Sequence, residues 1–185
     1  MVLQKAFTGK IPLLKFFIKR ELRFVPLLGV AWMALDFPMM RRYSKEYLAK
    51  HPEKQGLDFL ETVKACEKFK KMPTSVLNFM EGTRFKKSKH QRQNSPYHNL
   101  LKPKTGGTAL ALTSLGRTVD AFIDVTIYYP DKVPSFWDYL SGSMKKVTLK
   151  AELIQIPDEF YEGDYTNDPD FKEKFQSWVN ESWRK

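Results

Sequence analysis

Apolar positions along this chain follow two rhythms in alternation, one of about 3.6 residues and one of two, which separate helices from strands. Leu60, Val63, Cys66 and Phe69 repeat at helical spacing, and Asp58 with Glu61 forms a capping-box pattern, so a helix is expected from Asp58 onward. Pro73 should stop it, and residues 76–80, Val-Leu-Asn-Phe-Met, read as a buried strand. Residues 105–115 are small and apolar and end at Gly116, a natural helix stop. Residues 121–129 are rich in β-branched and aromatic side chains and predict a strand. Val147, Leu149, Ala151 and Leu153 alternate with Thr148, Lys150 and Glu152, the pattern of a half-exposed strand. A last helix is expected near Asp168, with Pro169 in its first turn and Phe171, Phe175, Trp178 and Ser182 facing inward. Nearer the start, residues 13–18 form a short apolar run broken by Lys15, read as a strand. Residues 24–35 contain Pro26, Gly29 and Trp32 and read as a turn entering a short helix.

Strands alternating with helices predict an α/β fold. A chain of 185 residues can bury a sizeable core, and it shows no repeat, low-complexity tract or linker, so one domain over residues 1–185 is expected. Cys66 is the single cysteine, which excludes an intramolecular disulfide and a Cys-rich zinc site. Its place on the apolar stripe makes it a core residue rather than a nucleophile. The longest apolar run, residues 24–35, holds twelve residues. A membrane span needs about twenty, so no crossing helix is expected, and the first residues do not suggest a signal peptide.

Charge changes the picture through its distribution. The net charge is +10 and the pI about 9.6, favouring phosphorylated partners, anionic lipid surfaces or nucleic acid. Up to Leu35 the sole acid is Glu21, against Lys5, Lys10, Lys15, Lys19, Arg20 and Arg23. Residues 82–119 contain no acid, yet Arg84, Lys86, Lys87, Lys89, Arg92, Lys102, Lys104 and Arg117 fall there. Residues 151–170 reverse this, with seven acids and no Lys or Arg. A basic region and a separate acidic flank follow. No zinc-finger spacing, RNA-recognition signature or helix-turn-helix accompanies the charge, so no specific nucleic-acid partner is expected.

Candidate chemistry concentrates where the strand at 76–80 ends. It delivers Glu81, Gly82, Thr83 and Arg84 to one strand end, the place where open α/β sheets bind ligands. The Arg84 guanidinium offers a planar fork of donors that matches a phosphate bidentately. Gly82 permits a positive φ or close approach of a ligand to the backbone. Thr83 adds a hydroxyl, and Glu81 can orient the guanidinium or accept from neighbouring amides. Lys104-Thr105-Gly106-Gly107 falls at a predicted helix N-terminus, which also favours anions. The competing reading is structural: Glu81 and Arg84 form a salt bridge that closes a turn.

Phe79-Met80-Glu81-Gly82-Thr83-Arg84 resembles the Phe-Pro-Glu-Gly-Thr-Arg motif of the lysophosphatidate (1-acylglycerol-3-phosphate) acyltransferases. Val25-Pro26-Leu27-Leu28-Gly29, followed by Arg42, is similar to the preceding family block, and Lys104-Thr105-Gly106 to the Lys-x-Gly that follows it. Leu35-Asp36-Phe37-Pro38 and Cys66-Glu67-Lys68-Phe69 resemble a bacterial inner-membrane branch of the YihG type. The likeness runs over essentially the whole chain. It implies a mostly parallel sheet flanked by helices. It also implies transfer of an acyl group from acyl-CoA or acyl carrier protein, as co-substrate, to a lysophospholipid hydroxyl, with no metal or bound cofactor. In the family, a His-x4-Asp box supplies a general base and the residue that orients it. Carried across, Arg84 is the main phosphate ligand, Glu81, Gly82 and Thr83 shape its loop, and Arg42 and Lys104 are further candidates. The expected location is the cytoplasmic face of the bacterial inner membrane, peripherally bound.

Three departures from the family qualify this. His51, His90 and His98 are followed five residues later by Gly56, Ser95 and Pro103, so none supplies the box. The chain is therefore expected to be truncated ahead of Met1, to lack the first family elements, and to be inactive or very slow. His90 and His98, near the motif, read as exposed bystanders. Met80 stands where relatives carry proline, and Phe122-Ile123-Asp124-Val125 occupies the place of a late Val-Pro-x-x-Pro-Val block without its prolines. The alternative from another class is a non-catalytic module docking on anionic phospholipid through its basic face with Phe24, Trp32 and Leu35.

Overall fold

The computed structural model describes residues 2–40, 47, 50, 51, 57–130 and 133–184. Helix α1 (Val2–Phe7) leads to two short strands, β1 (Leu14–Lys15) and β2 (Ile18–Lys19). A 3-10 turn (Arg20–Phe24), helix α2 (Leu28–Ala34) and strand β3 (Met39–Met40) follow. Then come α3 (Leu57–Phe69), β4 (Ser75–Val76), α4 (Lys87–Gln93), α5 (Gly106–Leu115), β5 (Phe122–Tyr128), α6 (Phe136–Leu140), β6 (Thr148–Ile154) and α7 (Pro169–Trp183). The α/β class holds, but the pairing is not one mostly parallel sheet. β1 pairs with β4 and β2 with β3, both parallel and two residues long, whereas the longest ladder, β5 with β6, is antiparallel.

The core forms where α7 closes over the loop at Met80 and over α5. Asp168 caps α7, its carboxylate accepting from the Asp170 and Phe171 amides at 3.0 Å, with Pro169 in the first turn. Phe171, Phe175 and Val179 recur every four residues and are buried together with Met80, Ala109, Leu112, Ile156 and Phe160. The Phe175 ring lies 5.1 Å from Phe160 and 5.4 Å from Trp178, centroid to centroid, and is fully buried. Trp178 and Ser182 are half-buried as expected, while Val179 joins the inner face in addition.

Four expectations are corrected by tertiary contacts. The run at 13–18 is split into β1 and β2, each with a different partner. Only Ser75–Val76 of the next strand is paired, matching the two residues of β1, and farther on Gly82 N–H donates to the Phe79 carbonyl at 2.8 Å as the chain turns, with Phe79 62 % exposed. On α3 the buried line is Thr62, Cys66 and Phe69, and Leu60 faces out. A strict spacing of three drifts by about 60° per step at 100° per residue, which puts Leu60 and Phe69 on opposite sides of the helix. On β6 the outward residue is Leu153, 75 % exposed, because α7 covers the other face of the ribbon, at Phe122 and Ile154. The Asp58–Glu61 capping box rests on an Asp58 side chain outside the described residues.

Cys66 is fully buried on α3, and burial pushes its thiol up from 9.0 to about 11. The fold therefore holds the protonated thiol more tightly than the unfolded chain does. That contribution is complete below pH 9.0 and is lost as pH rises toward about 11. Urea midpoints measured across this window should fall more steeply for the parent protein than for Cys66→Ala. Equal slopes would show that the thiol ionises as freely in the fold as outside it.

Candidate functional site

The residues 79–84 turn sharply because Gly82 takes φ +64°, a conformation that L side chains rarely adopt. The same glycine leaves room for Lys104, since a Cβ there would sit 3.1 Å from the Lys104 Cδ and 3.4 Å from its Nζ. Lys104 is held in place by its own backbone, whose N–H donates to the Met80 carbonyl at 2.7 Å. Two segments well separated in sequence thus meet at one turn. Asn78 reinforces the junction: its Nδ2 donates to Thr108 Oγ1 at 2.7 Å, tying the turn to the first turn of α5. The Thr105 hydroxyl is engaged with the Tyr165 hydroxyl at 2.6 Å and gives α5 no side-chain cap.

Glu81 does not pair with Arg84. Its Oε2 accepts from the Leu101 N–H at 3.0 Å, so the carboxylate ties the turn to the loop preceding Lys104, the second of the two roles open to it. Thr83 Oγ1 accepts from Lys89 Nζ, which brings a cation of α4 to the same turn. Arg84 is exposed, and among the described residues no ion pair or hydrogen bond occupies its guanidinium. The reading of Glu81 and Arg84 as a salt bridge is thereby set aside. Elsewhere the cations Lys68, Lys70, Arg117, Lys150 and Lys174 each have a carboxylate partner. None of those ion pairs involves Arg84, Lys89 or Lys104. Arg84, Lys89 and Lys104 thus belong to or reach one turn with no carboxylate partner among the described residues, a concentration of positive charge that favours anions such as phosphate.

Arg42, the further arginine candidate, lies outside the described residues. Lys89 was legible only as one of many basic residues, and Asn78 carried no signal at all, since an uncharged amide in an apolar run has no spacing to betray it. Gly82 and Arg84 of the turn are exposed, and a cleft of about 550 Å³ lined by Arg117, Asp120, Leu153, Asp158 and Tyr161 includes no residue of the turn.

The histidines hold local posts. His90 donates from Nε2 to the Tyr97 carbonyl at 2.6 Å, and its ring lies tilted 5.6 Å from that of Phe85, centroid to centroid. His98 Nδ1 lies 3.0 Å from the Asn99 side-chain oxygen on an exposed loop, and the His51 ring packs 4.4 Å from Tyr47. For His90 and His98 these partners are a carbonyl and an amide, neither of which stabilises an imidazolium as a carboxylate would. Among the described residues no cluster of His, Cys, Asp or Glu is arranged to hold a metal ion, and no helix is long and apolar enough to cross a membrane.

The sequence of the chain as a whole is also similar to known proteins. The chain is 29 % identical over 164 residues to the probable 1-acyl-sn-glycerol-3-phosphate acyltransferase 5 of Arabidopsis thaliana, covering 82 % of this chain and 41 % of that protein. It is 30 % identical over 157 residues to the human 1-acyl-sn-glycerol-3-phosphate acyltransferase gamma, covering 78 % of this chain and 38 % of the relative. The chain is similar to 1-acyl-sn-glycerol-3-phosphate acyltransferases. The mouse gamma enzyme is 28 % identical over 155 residues. The chain spans about two fifths of the length of these curated relatives. They are plant and mammalian proteins, and likeness to a bacterial branch rests on the sequence resemblance alone. No family model and no solved structure matches the chain.

Proposed function

We propose that this chain is the acceptor-binding part of a 1-acylglycerol-3-phosphate acyltransferase, a single acyltransferase-like domain that works in phospholipid synthesis. The phosphate of the lysolipid sits against Arg84, with Lys104 and Lys89 adding charge and Gly82 and Thr83 shaping the turn. Glu81 keeps the turn in register through Leu101 rather than touching the phosphate. Arg42 is a further phosphate ligand in this reading. The acyl donor, acyl-CoA or acyl carrier protein, is a co-substrate, and no bound cofactor or metal is required. The protein acts at an anionic membrane surface, on the cytoplasmic face of the inner membrane if its source is bacterial.

The observation that carries this reading is the close approach of Lys104 to Gly82 beside an Arg84 left without a carboxylate partner. The chemistry is addition of the lysolipid hydroxyl oxygen to the donor's thioester carbonyl, with loss of the thiol. It needs a base for the hydroxyl proton and stabilisation of the carbonyl oxygen as it becomes negative. This chain's residues supply phosphate binding and orientation, which by holding the acceptor in place lowers the entropic part of the barrier. Its histidines are not placed to supply the base, so transfer by these residues alone is slow.

A short-chain lysophosphatidate, soluble as a monomer, tests the binding half by calorimetry. Arg84→Ala should weaken binding by about ten- to a hundredfold, from the loss of about 1.5–3 kcal/mol of charge-assisted hydrogen bonding. Arg84→Lys should recover only part, because an ammonium cannot bridge two phosphate oxygens. The same lipid without its phosphate should bind no better to the parent than to Arg84→Ala. Equal affinity of parent and Arg84→Ala for lysophosphatidate would remove Arg84 from the site.

A further inference from the structure

Residues 24–35 carry no charge, and the structure leaves them in the open. Leu27 is 85 % exposed and Phe24 77 %, and Leu28, Val30, Met33 and Leu35 are each at least half exposed. Within α2 only Gly29 is buried, and Trp32 is half-buried. Gly29 explains the contact that remains: a Cβ there would lie 2.0 Å from the Arg23 carbonyl oxygen, so the helix rests on the 3-10 turn by its one residue without a side chain. Among the described residues, most of the helix circumference is then apolar and uncovered. A helix apolar all round belongs in a protein core or in lipid, and this one is not in the core. Twelve residues are too few to span a bilayer, where about twenty are needed, but suit a segment lying in its interface. Contiguous exposed apolar surface of this kind marks a contact site.

The flanking charge selects the partner. Arg20 and Arg23 sit in the 3-10 turn that feeds the helix, and the Arg23 guanidinium lies 5.0 Å from the centre of the Phe24 ring. Glu21 is the one acid before Leu35 against six Lys and Arg (Lys5, Lys10, Lys15, Lys19, Arg20 and Arg23). Long cationic side chains beside an apolar segment reach the headgroups while their neighbours enter the acyl boundary. We propose that residues 24–35 are an interfacial anchor that lies in the headgroup–acyl boundary of an anionic bilayer, with Phe24, Leu27, Val30 and Met33 in the lipid and Arg20 and Arg23 on its phosphates. The anchor goes beyond acceptor binding: it is a separate lipid contact on a different segment from the turn at Gly82, and it holds whether or not that turn binds lysolipid.

The test is co-sedimentation of the full chain with vesicles of equal parts phosphatidylglycerol and phosphatidylcholine, and with phosphatidylcholine alone. Val30→Glu with Met33→Glu should lower partitioning to the anionic vesicles about tenfold or more, since two inserted apolar side chains become charges. Both positions are exposed, and circular dichroism should show the parent fold. The same double variant should still bind short-chain lysophosphatidate as the parent does, which separates failure of the anchor from failure of the phosphate site. A dye attached at Val30→Cys, with Cys66 buried and unreactive, should shift to the blue on anionic vesicles and not without lipid. Unchanged partitioning of the double variant would overturn the anchor and leave basic charge as the membrane contact. A blue shift without lipid would also overturn it. If that shift grows with protein concentration, a second copy covers the helix; if it does not, another segment of the chain does.

Discussion

Acyl transfer from acyl-CoA to lysophosphatidate by these 185 residues is expected to run about a hundred- to ten-thousandfold below that of a family enzyme with a His-x4-Asp pair, the usual contribution of a positioned general base. The expectation rests on where the histidines are. His90 spends Nε2 on the Tyr97 carbonyl, and His98 faces an asparagine on an exposed loop. Neither has a carboxylate to stabilise the imidazolium that forms when a hydroxyl proton is taken. His51 is packed against Tyr47, in a segment distant in sequence from the Gly82 turn. The residual rate should still depend on Arg84, because orientation of the acceptor survives without the base. Single-turnover transfer of a radiolabelled acyl chain measures both points. A rate matching the family enzyme, abolished by His90→Ala or His98→Ala, would mean that one of these rings leaves its post to act as base.

Phe175→Ala is expected to destabilise the protein by about 3–5 kcal/mol, the range for removing a large aromatic side chain from a packed core. Phe175 is fully buried and meets Phe160, Phe171, Tyr165 and Trp178 in one aromatic cluster. These partners come from three segments: the 3-10 turn Asp158–Phe160, the loop at Tyr165 and α7 itself. The ring is therefore the point where the acidic flank is fastened to the rest of the core, and neighbours drawn from separate segments cannot collapse together into the hole. The effect should reach the site. Tyr165 bonds to Thr105 at the start of α5 and is itself held by Gln176, so a loosened cluster frees the helix end beside Lys104. Urea unfolding should show the lowered midpoint, and lysophosphatidate binding should weaken less than in Arg84→Ala. A loss under about 1 kcal/mol would place Phe175 in a site able to repack.

Local signals were legible where one element decides its own fate. Asp168 with Pro169 announced α7, Gly116 announced the end of α5, and both stand where expected, because a cap or a stop acts within one turn of backbone. The turn at 81–84 was legible for the same reason: Gly82 takes φ +64°, a conformation that favours glycine. Fine amphipathic detail was not. Leu60 and Leu153 were placed inward by spacing and face outward, since the face that is covered depends on where α5 and α7 come to rest. The strand before Glu81 was read as five residues and is two, because pairing ends when the partner β1 ends.

The sequence alone determined the class of fold, the absence of an acid from residues 82–119, the turn chemistry of Glu81 to Arg84 and the lack of a histidine with an aspartate five residues on. These are properties of composition and of short backbone segments, and no distant contact can change them. Tertiary structure alone decided that Lys104 lies over Gly82, that Glu81 turns to Leu101 instead of Arg84, and that the apolar helix α2 is left uncovered among the described residues. Each depends on which distant segment arrives to supply or withhold a partner. Leu101's amide takes the Glu81 carboxylate, and among the described residues Arg84 is left without a carboxylate partner, a competition that spacing along the chain does not encode.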